Sequence, residues 1–237
     1  MATNFLTARW EKLVMANYEI DPNLLQKYLP YGTELDLWEG KCIVSLIGFM
    51  FLHTKLKGIK VPFHANFEEV NLRFYVKKLE NSEWKRGVVF IKEIVPKPAI
   101  TLIANTLYQE HYHTMRMNHH WEITATTLQI EYAFFYKKQW HSFRITAEAK
   151  PYAFSPGSEE EFITEHYWGY TQISDTKTSE YEVSHPAWNV YPTIEFTCHV
   201  DFLKVYGPDF ACLNDASPRS VFLAEGSDVA VKGKSKK

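Results

Sequence analysis

The stretch Phe67-Glu68-Glu69-Val70-Asn71-Leu72-Arg73-Phe74-Tyr75-Val76 limits what this chain can fold into more than any other. Read with the period of two that a strand imposes, Val70, Leu72, Phe74 and Val76 share one face, and Glu69, Asn71, Arg73 and Tyr75 share the other. The first face belongs in a core. The second carries a carboxylate, an amide, a guanidinium and a phenol in a row. Such a row either meets solvent, where it needs no explanation, or lines a cavity as a set of polar anchors. The pattern itself leaves both open.

A chain of 237 residues is long for one small core and short for two full domains, so a single domain over residues 1–231 is expected, with a lysine-rich tail at 232–237. With 46% hydrophobic residues and 16% aromatic ones, the chain can fill a large core or line a wide apolar pocket. A net charge of −2 provides no basic field for a phosphate backbone, so nucleic acid is not an expected partner. The opening MATNFLTARWEKLV lacks the pattern of a secretory leader, and no apolar run reaches bilayer length. Cys42, Cys198 and Cys212 are odd in number and widely spaced, which speaks against disulfides or a cysteine zinc site and for a reducing cytoplasm.

Along the chain, Asp21-Pro22 reads as an N-cap and first helical residue, ahead of a short helix that Pro30-Tyr31-Gly32 stops. Residues 34–38 and 42–53 read as a hairpin around Glu39-Gly40, with Gly48 marking a bulge or bend. A lysine-bearing loop at 55–60 precedes the central strand, whose antiparallel partner is expected at 87–95. Ile100, Ile103, Ala104 and Leu107 recur at helical spacing. Residues 110–117 read as one strand, with His111, His113, Met115 and Met117 on one face and Tyr112, Thr114 and Arg116 on the other. Segments 121–136 and 140–149 alternate around Lys137-Lys138-Gln139 as a hairpin. Ser158 with Glu161 forms a capping box for a helix expected to reach Tyr167. The stretches 181–183, 193–206 and 220–231 read as strands.

His111, His113, His119 and His120 fall close together, but no third ligand stands at a recognised spacing, so no metal and no other cofactor is expected. His119 and His120 sit beside Asn118 in an expected solvated turn. No nucleophile elbow, phosphate-cradling glycine loop or dinucleotide fingerprint occurs. The set Glu69, Arg73, Tyr112 and His113 supplies a base, an anion clamp, a phenol donor and an imidazole, the minimum for proton transfer beside a carbonyl or carboxylate. Asn71, Tyr75, Arg116, His185 and Trp188 are candidate substrate contacts, though His185-Pro186-Ala187-Trp188 reads more readily as a proline turn over a packed tryptophan.

The run Phe67, Glu69, Asn71, Arg73, Tyr75 and Val76, with 10–30, Gly87-Val-Val-Phe90, Tyr112 to Met117, 161–170 and His185-Pro-Ala-Trp188, resembles the YqjF-like family of uncharacterised bacterial proteins, related to acetoacetate decarboxylase. The resemblance covers nearly the whole chain in order. It implies a β-rich α+β fold: a large antiparallel sheet curled into a barrel or cone, flanked by a few helices and enclosing a pocket. In acetoacetate decarboxylase a lysine with a lowered pKa forms a Schiff base with the keto acid. The corresponding strand here reads His111-Tyr112-His113 and lacks the lysine pair, while Glu69 matches the decarboxylase's pocket glutamate.

Together these readings lead to an interior pocket for a small carbonyl or carboxylate compound. Arg73 would hold an anionic group, Glu69 would accept a proton, and Tyr112 and His113 would donate to developing oxyanion charge. The alternative is a non-catalytic binding or sensing barrel in which Arg73 only orients the guest. Self-association into a homo-oligomer is compatible with either.

Overall fold

A computed structural model describes residues 4–233, 235 and 236. In chain order its strands are β1 Asn4–Glu19, β2 Glu34–Leu35, β3 Ile43–Leu56, β4 Ile59–Lys60, β5 Phe67–Glu80, β6 Glu83–Val95, β7 Tyr112–Thr114, β8 Arg116–Ile123 and β9 Thr127–Tyr136. They continue as β10 Gln139–Glu148, β11 Tyr152–Ala153, β12 Trp168–Ser174, β13 Lys177–Ser184, β14 Asn189–Tyr191, β15 Thr193–Cys198, β16 Ser220–Lys232 and β17 Ser235–Lys236. The α-helices are short: α1 Pro22–Leu25, α2 Pro98–Ile103, α3 Glu159–Thr164 and α4 Phe202–Tyr206. None of the described helices is long and apolar enough to cross a membrane.

A 13-stranded sheet runs β16-β1-β3-β5-β6-β12-β13 along its main path, and β13 pairs back onto β16 through Val183↔Val231 and Ser184↔Ala230. The sheet is therefore curled into a barrel, as expected from the resemblance. A 4-stranded sheet, β15-β10-β9-β8, covers one side. Alternation along the barrel strands explains the two cores. Val44, Leu46, Val70, Leu72 and Phe74 pack outward against Ile130, Tyr132, Phe134 and Phe143 of the smaller sheet. Ile43, Ile47, Phe49, Phe51, Phe67 and Val88 fill the barrel interior.

Two bulges decide which residues face inward. In β1 the register against β3 slips between Glu11 and Val14, where Lys12 has φ 56°. Leu6, Ala8 and Trp10 thus belong to the same inner core as Leu13 and Met15. In β6 the register against β5 slips between Lys92 and Phe90, leaving Ile91 as the extra residue. Val88 and Phe90 face in before the slip, and Glu93 and Val95 face in after it. Unbroken alternation would have turned Lys92 inward. Instead its Nζ donates to the Val205 carbonyl on the side of the second sheet.

Several elements differ from the sequence reading. Residues 34–38 do not pair with 42–53 beyond the bridge Trp38↔Lys41, because β2 joins β5 instead. The bulge expected at Gly48 lies in the facing strand β1, where the register slips beside the pair Val14↔Gly48, and the glycine's missing side chain makes room for Phe143 and Tyr132. The stretch 110–117 is two strands, since the chain leaves the barrel at the buried Met115 and enters the second sheet as β8. His119 and His120 lie within β8 rather than a turn, and residues 124–126 divide β8 from β9. The capped helix stops at Thr164, with the Ser158 side chain accepting from the Glu161 N–H. Residues 202–206 are helical, capped by Asp201. In the expected tail, Lys232 closes β16 and Ser235–Lys236 pairs with β13, while Lys234 and Lys237 lie outside the described residues.

Candidate functional site

The polar face of β5 looks into the barrel. Glu69, Asn71 and Arg73 all line an interior cavity of about 170 Å³, and Glu69 and Asn71 are each only 2% exposed. A dry cavity of about 150 Å³ accommodates a benzene molecule, which sets the size of a guest. The apolar part of the wall includes Phe49, Phe51, Phe67, Val88 and Trp188, with the Phe51 and Phe67 rings stacked 4.7 Å apart.

Strand pairing brings further polar groups beside this row. Asn71 stands opposite Glu93 across β5 and β6, and Glu93 stands opposite Tyr112 across the parallel pair β6 and β7. Neighbouring strands lie roughly 4.8 Å apart, so these three side chains share one level of the inner wall. The Glu69 carboxylate accepts from Asn71 Nδ2 at 3.0 Å and from the Tyr112 hydroxyl at 3.0 Å. Glu110 accepts from the Thr171 hydroxyl at 2.8 Å and bonds Tyr181. Burial pushes the Glu69 carboxyl up to about 7, against the opposing pull of Asn71, Tyr112 and Arg73. Burial also raises Glu93 well above the carboxylate range, and the neighbouring charges of Glu110 and Glu69 raise it further. Three glutamates in one enclosed space cannot all ionise cheaply.

Arg73 occupies a different part of the wall. Its Nη2 donates to the Ile163 carbonyl at the end of α3 at 3.1 Å, while its Nε is buried without a partner. Nearby His166 lies between Tyr75 and Phe162, with ring centroids 4.7 and 5.1 Å away. Its Nε2 is 3.1 Å from Asp36, which also accepts from Arg86 at 2.7 Å. Burial pushes the His166 imidazole down to about 4, so it is neutral at pH 7, and its Nδ1 has no partner.

Of the residues singled out in the sequence, Glu69, Asn71, Arg73, Tyr112, His185 and Trp188 line the cavity together. His185 and Trp188 stack with centroids 4.1 Å apart, and the indole N–H donates to Ser227 at 2.8 Å. Tyr75 belongs to the inner core but does not line the cavity, its hydroxyl 2.7 Å from that of Ser45. His113 is not in the cavity: it pairs with the outward-facing Ile94, one residue out of phase with Tyr112, and is exposed. Arg116 lies beyond the Met115 break on the exposed side of β8, over the rings of Phe135 and Trp140.

Sequence reading missed Glu93, Glu110, His166 and Tyr181. Only Glu93 left a signal, as a lone carboxylate in the apolar run 87–95. Among the described residues no lysine lines the cavity, and no three His, Cys, Asp or Glu side chains converge as metal ligands.

Similarity to known proteins agrees with this architecture. YqjF of Bacillus subtilis, an uncharacterized protein, is 27% identical over 104 residues, 44% of this chain. That match spans only 41% of YqjF's own length. Among solved structures, the enduracididine biosynthesis enzyme MppR complexed with pyruvate superposes with a TM-score of 0.68 at 12% identity, covering 100% of this chain and 91% of MppR. The acetoacetate decarboxylase of Legionella pneumophila gives 0.64 at 12% identity over 98% of this chain and 86% of that one. An acetoacetate decarboxylase-like enzyme from Sphingomonas wittichii gives 0.66 at 11% identity, covering 99% and 93%. At these identities the likeness is one of fold. Residues 7–228 match the model of DUF2071, "Uncharacterized conserved protein (COG2071)", and the chain belongs to that family, built on an acetoacetate decarboxylase-like fold.

Proposed function

We propose that the barrel interior binds a small carbonyl or carboxylate compound and that Glu69 and Tyr112 carry out proton transfer on it. The observation that carries this reading is the buried Glu69 carboxyl, raised to about 7 and bonded by the Tyr112 hydroxyl at the wall of the barrel cavity. A carboxyl near neutrality is poised to act as a general base. Deprotonated Glu69 would take a proton from the carbon next to the guest's carbonyl. The electron pair would move onto the carbonyl oxygen, and the Tyr112 O–H, no longer held by the now protonated Glu69, would turn to donate to that oxygen. Arg73 Nε would bind an anionic group of the guest. The pyruvate complex of the similarly folded MppR supports a guest of this size class.

Without a lysine among the described wall residues, the chemistry runs without an imine. Borohydride with acetoacetate should therefore leave the protein's mass unchanged, and a trapped lysine adduct would refute the reading. A thermal-shift screen of small keto acids and carboxylates, followed by product detection, tests turnover. Glu69→Gln is expected to keep binding and to lower the rate by about 10²–10⁴-fold. Binding with no product from the wild type would favour the non-catalytic barrel instead.

A further inference from the structure

The cavity has two chemically opposite ends. Around Arg73 a buried N–H lacks an acceptor. Two residues back along β5, some 7 Å in extended chain, the deficit is reversed. There Glu93 Oε2 and Asn71 Oδ1 are buried acceptors with no donor, on residues 1% and 2% exposed, in adjacent strands of the same inner wall. Buried polar atoms left unpaired cost free energy, so a guest that satisfies both ends is favoured over one that satisfies either.

Resting on the reading of the cavity as a binding site, we infer that the Asn71–Glu93 end holds a protonated amine and that the guest is a small zwitterion. An ammonium carries three N–H donors and no acceptor. Glu93 Oε2 and Asn71 Oδ1 take two of them, and a free lone pair of the Glu69 carboxylate takes the third. The charge is also accounted for. Glu69, Glu110, Tyr112 and Tyr181 all face Glu93, and no basic side chain stands among them to neutralise a carboxylate. A bound cation would supply that charge, and Glu93 would release its proton to solvent as it binds. The remaining wall is apolar and suits a short methylene chain between the charged ends.

Calorimetry with three matched probes, 4-aminobutyrate, butyrate and butylamine, tests this at pH 7.5 on wild type and Glu93→Gln. The wild type is expected to bind 4-aminobutyrate at least tenfold more tightly than butyrate. The heat should depend on the buffer's ionisation enthalpy. Glu93→Gln should erase the advantage. Butyrate binding as tightly as 4-aminobutyrate would overturn the inference and leave the carboxylate reading standing. Glu93-dependent binding of butylamine alone would support the ammonium end and remove the Arg73 clamp. No binding by any probe would overturn both. Should Glu93→Gln fail to fold, the wild-type comparison decides by itself.

Discussion

Raising the pH from about 6.5 to 8 is expected to lower the melting temperature of the wild type relative to that of a Glu69→Gln, Glu93→Gln variant. The sign follows from proton counting. A glutamate titrates near 4.3 in the unfolded chain, whereas burial raises Glu69 in the barrel to about 7 and holds Glu93 well above its ordinary value. Between those values the folded state holds protons that the unfolded state has released, so stability falls as pH rises. The contribution is fully present below about 4.3 and is lost as the pH passes the folded values. His166, pushed down to about 4, works in the opposite direction, and so do His113, His141 and His185, each lowered by burial. An unfolded histidine is half titrated at about pH 6.5, so their opposing effect continues into this window, and it is the same in both proteins. The difference between the two proteins therefore isolates the carboxyls. Over this window Glu69 lowers stability by on the order of 1 kcal/mol, or roughly 2–4 °C in Tm for a chain of this size, and Glu93 acts in the same direction. Melts of the two proteins at both pH values check it, and parallel profiles would refute it. The variant should also be the more stable at pH 8, because a buried carboxyl kept for binding costs folding energy.

The central strand was legible because its two faces differ in chemistry as well as position. Val70, Leu72 and Phe74 demanded a core, so Glu69, Asn71 and Arg73 had to share the other side. Whether that side was wet or enclosed was not legible locally. Enclosure arises from closure of β13 onto β16, a pairing of residues near 183 with residues near 231. Glu93 was hidden by the bulge at Ile91, since periodicity carried through it puts Lys92 inside. His113 was misplaced against the alternation itself, which already sets it on the face opposite Tyr112, and the parallel register on β6 turns Tyr112 inward and His113 out. His166 and Glu110 lie outside regular elements, where no period exists to assign a face. What was missed, then, is what bulges, breaks and long-range closure decide.

Two glycines are expected to separate folding from binding, and Gly48→Val gives the larger stability effect. A Cβ at Gly48 would meet Phe143 Cζ at 2.6 Å and Tyr132 Cδ2 at 2.8 Å. Both rings are fully buried, and the Tyr132 hydroxyl is held by the Lys12 carbonyl at 2.9 Å, so neither can step aside without prying the second sheet from the barrel. Valine's preference for strands returns at most about 1 kcal/mol. Overpacking exceeds it, for a net loss of about 3 kcal/mol and roughly 6–12 °C in Tm, with binding intact in the molecules that remain folded. Gly169→Ala acts differently. Its Cβ would lie 2.2 Å from Cζ of Tyr181, the residue it pairs with across β12 and β13. That ring tip borders the cavity and can swing into it. The displaced ring leaves Glu110 and occupies space a guest needs, so affinity should fall more than tenfold while Tm changes by only a few degrees. Melting curves and calorimetry on both variants read the two effects independently. If Gly169→Ala bound guests as the wild type does, the space beside Tyr181 would not be where the guest sits.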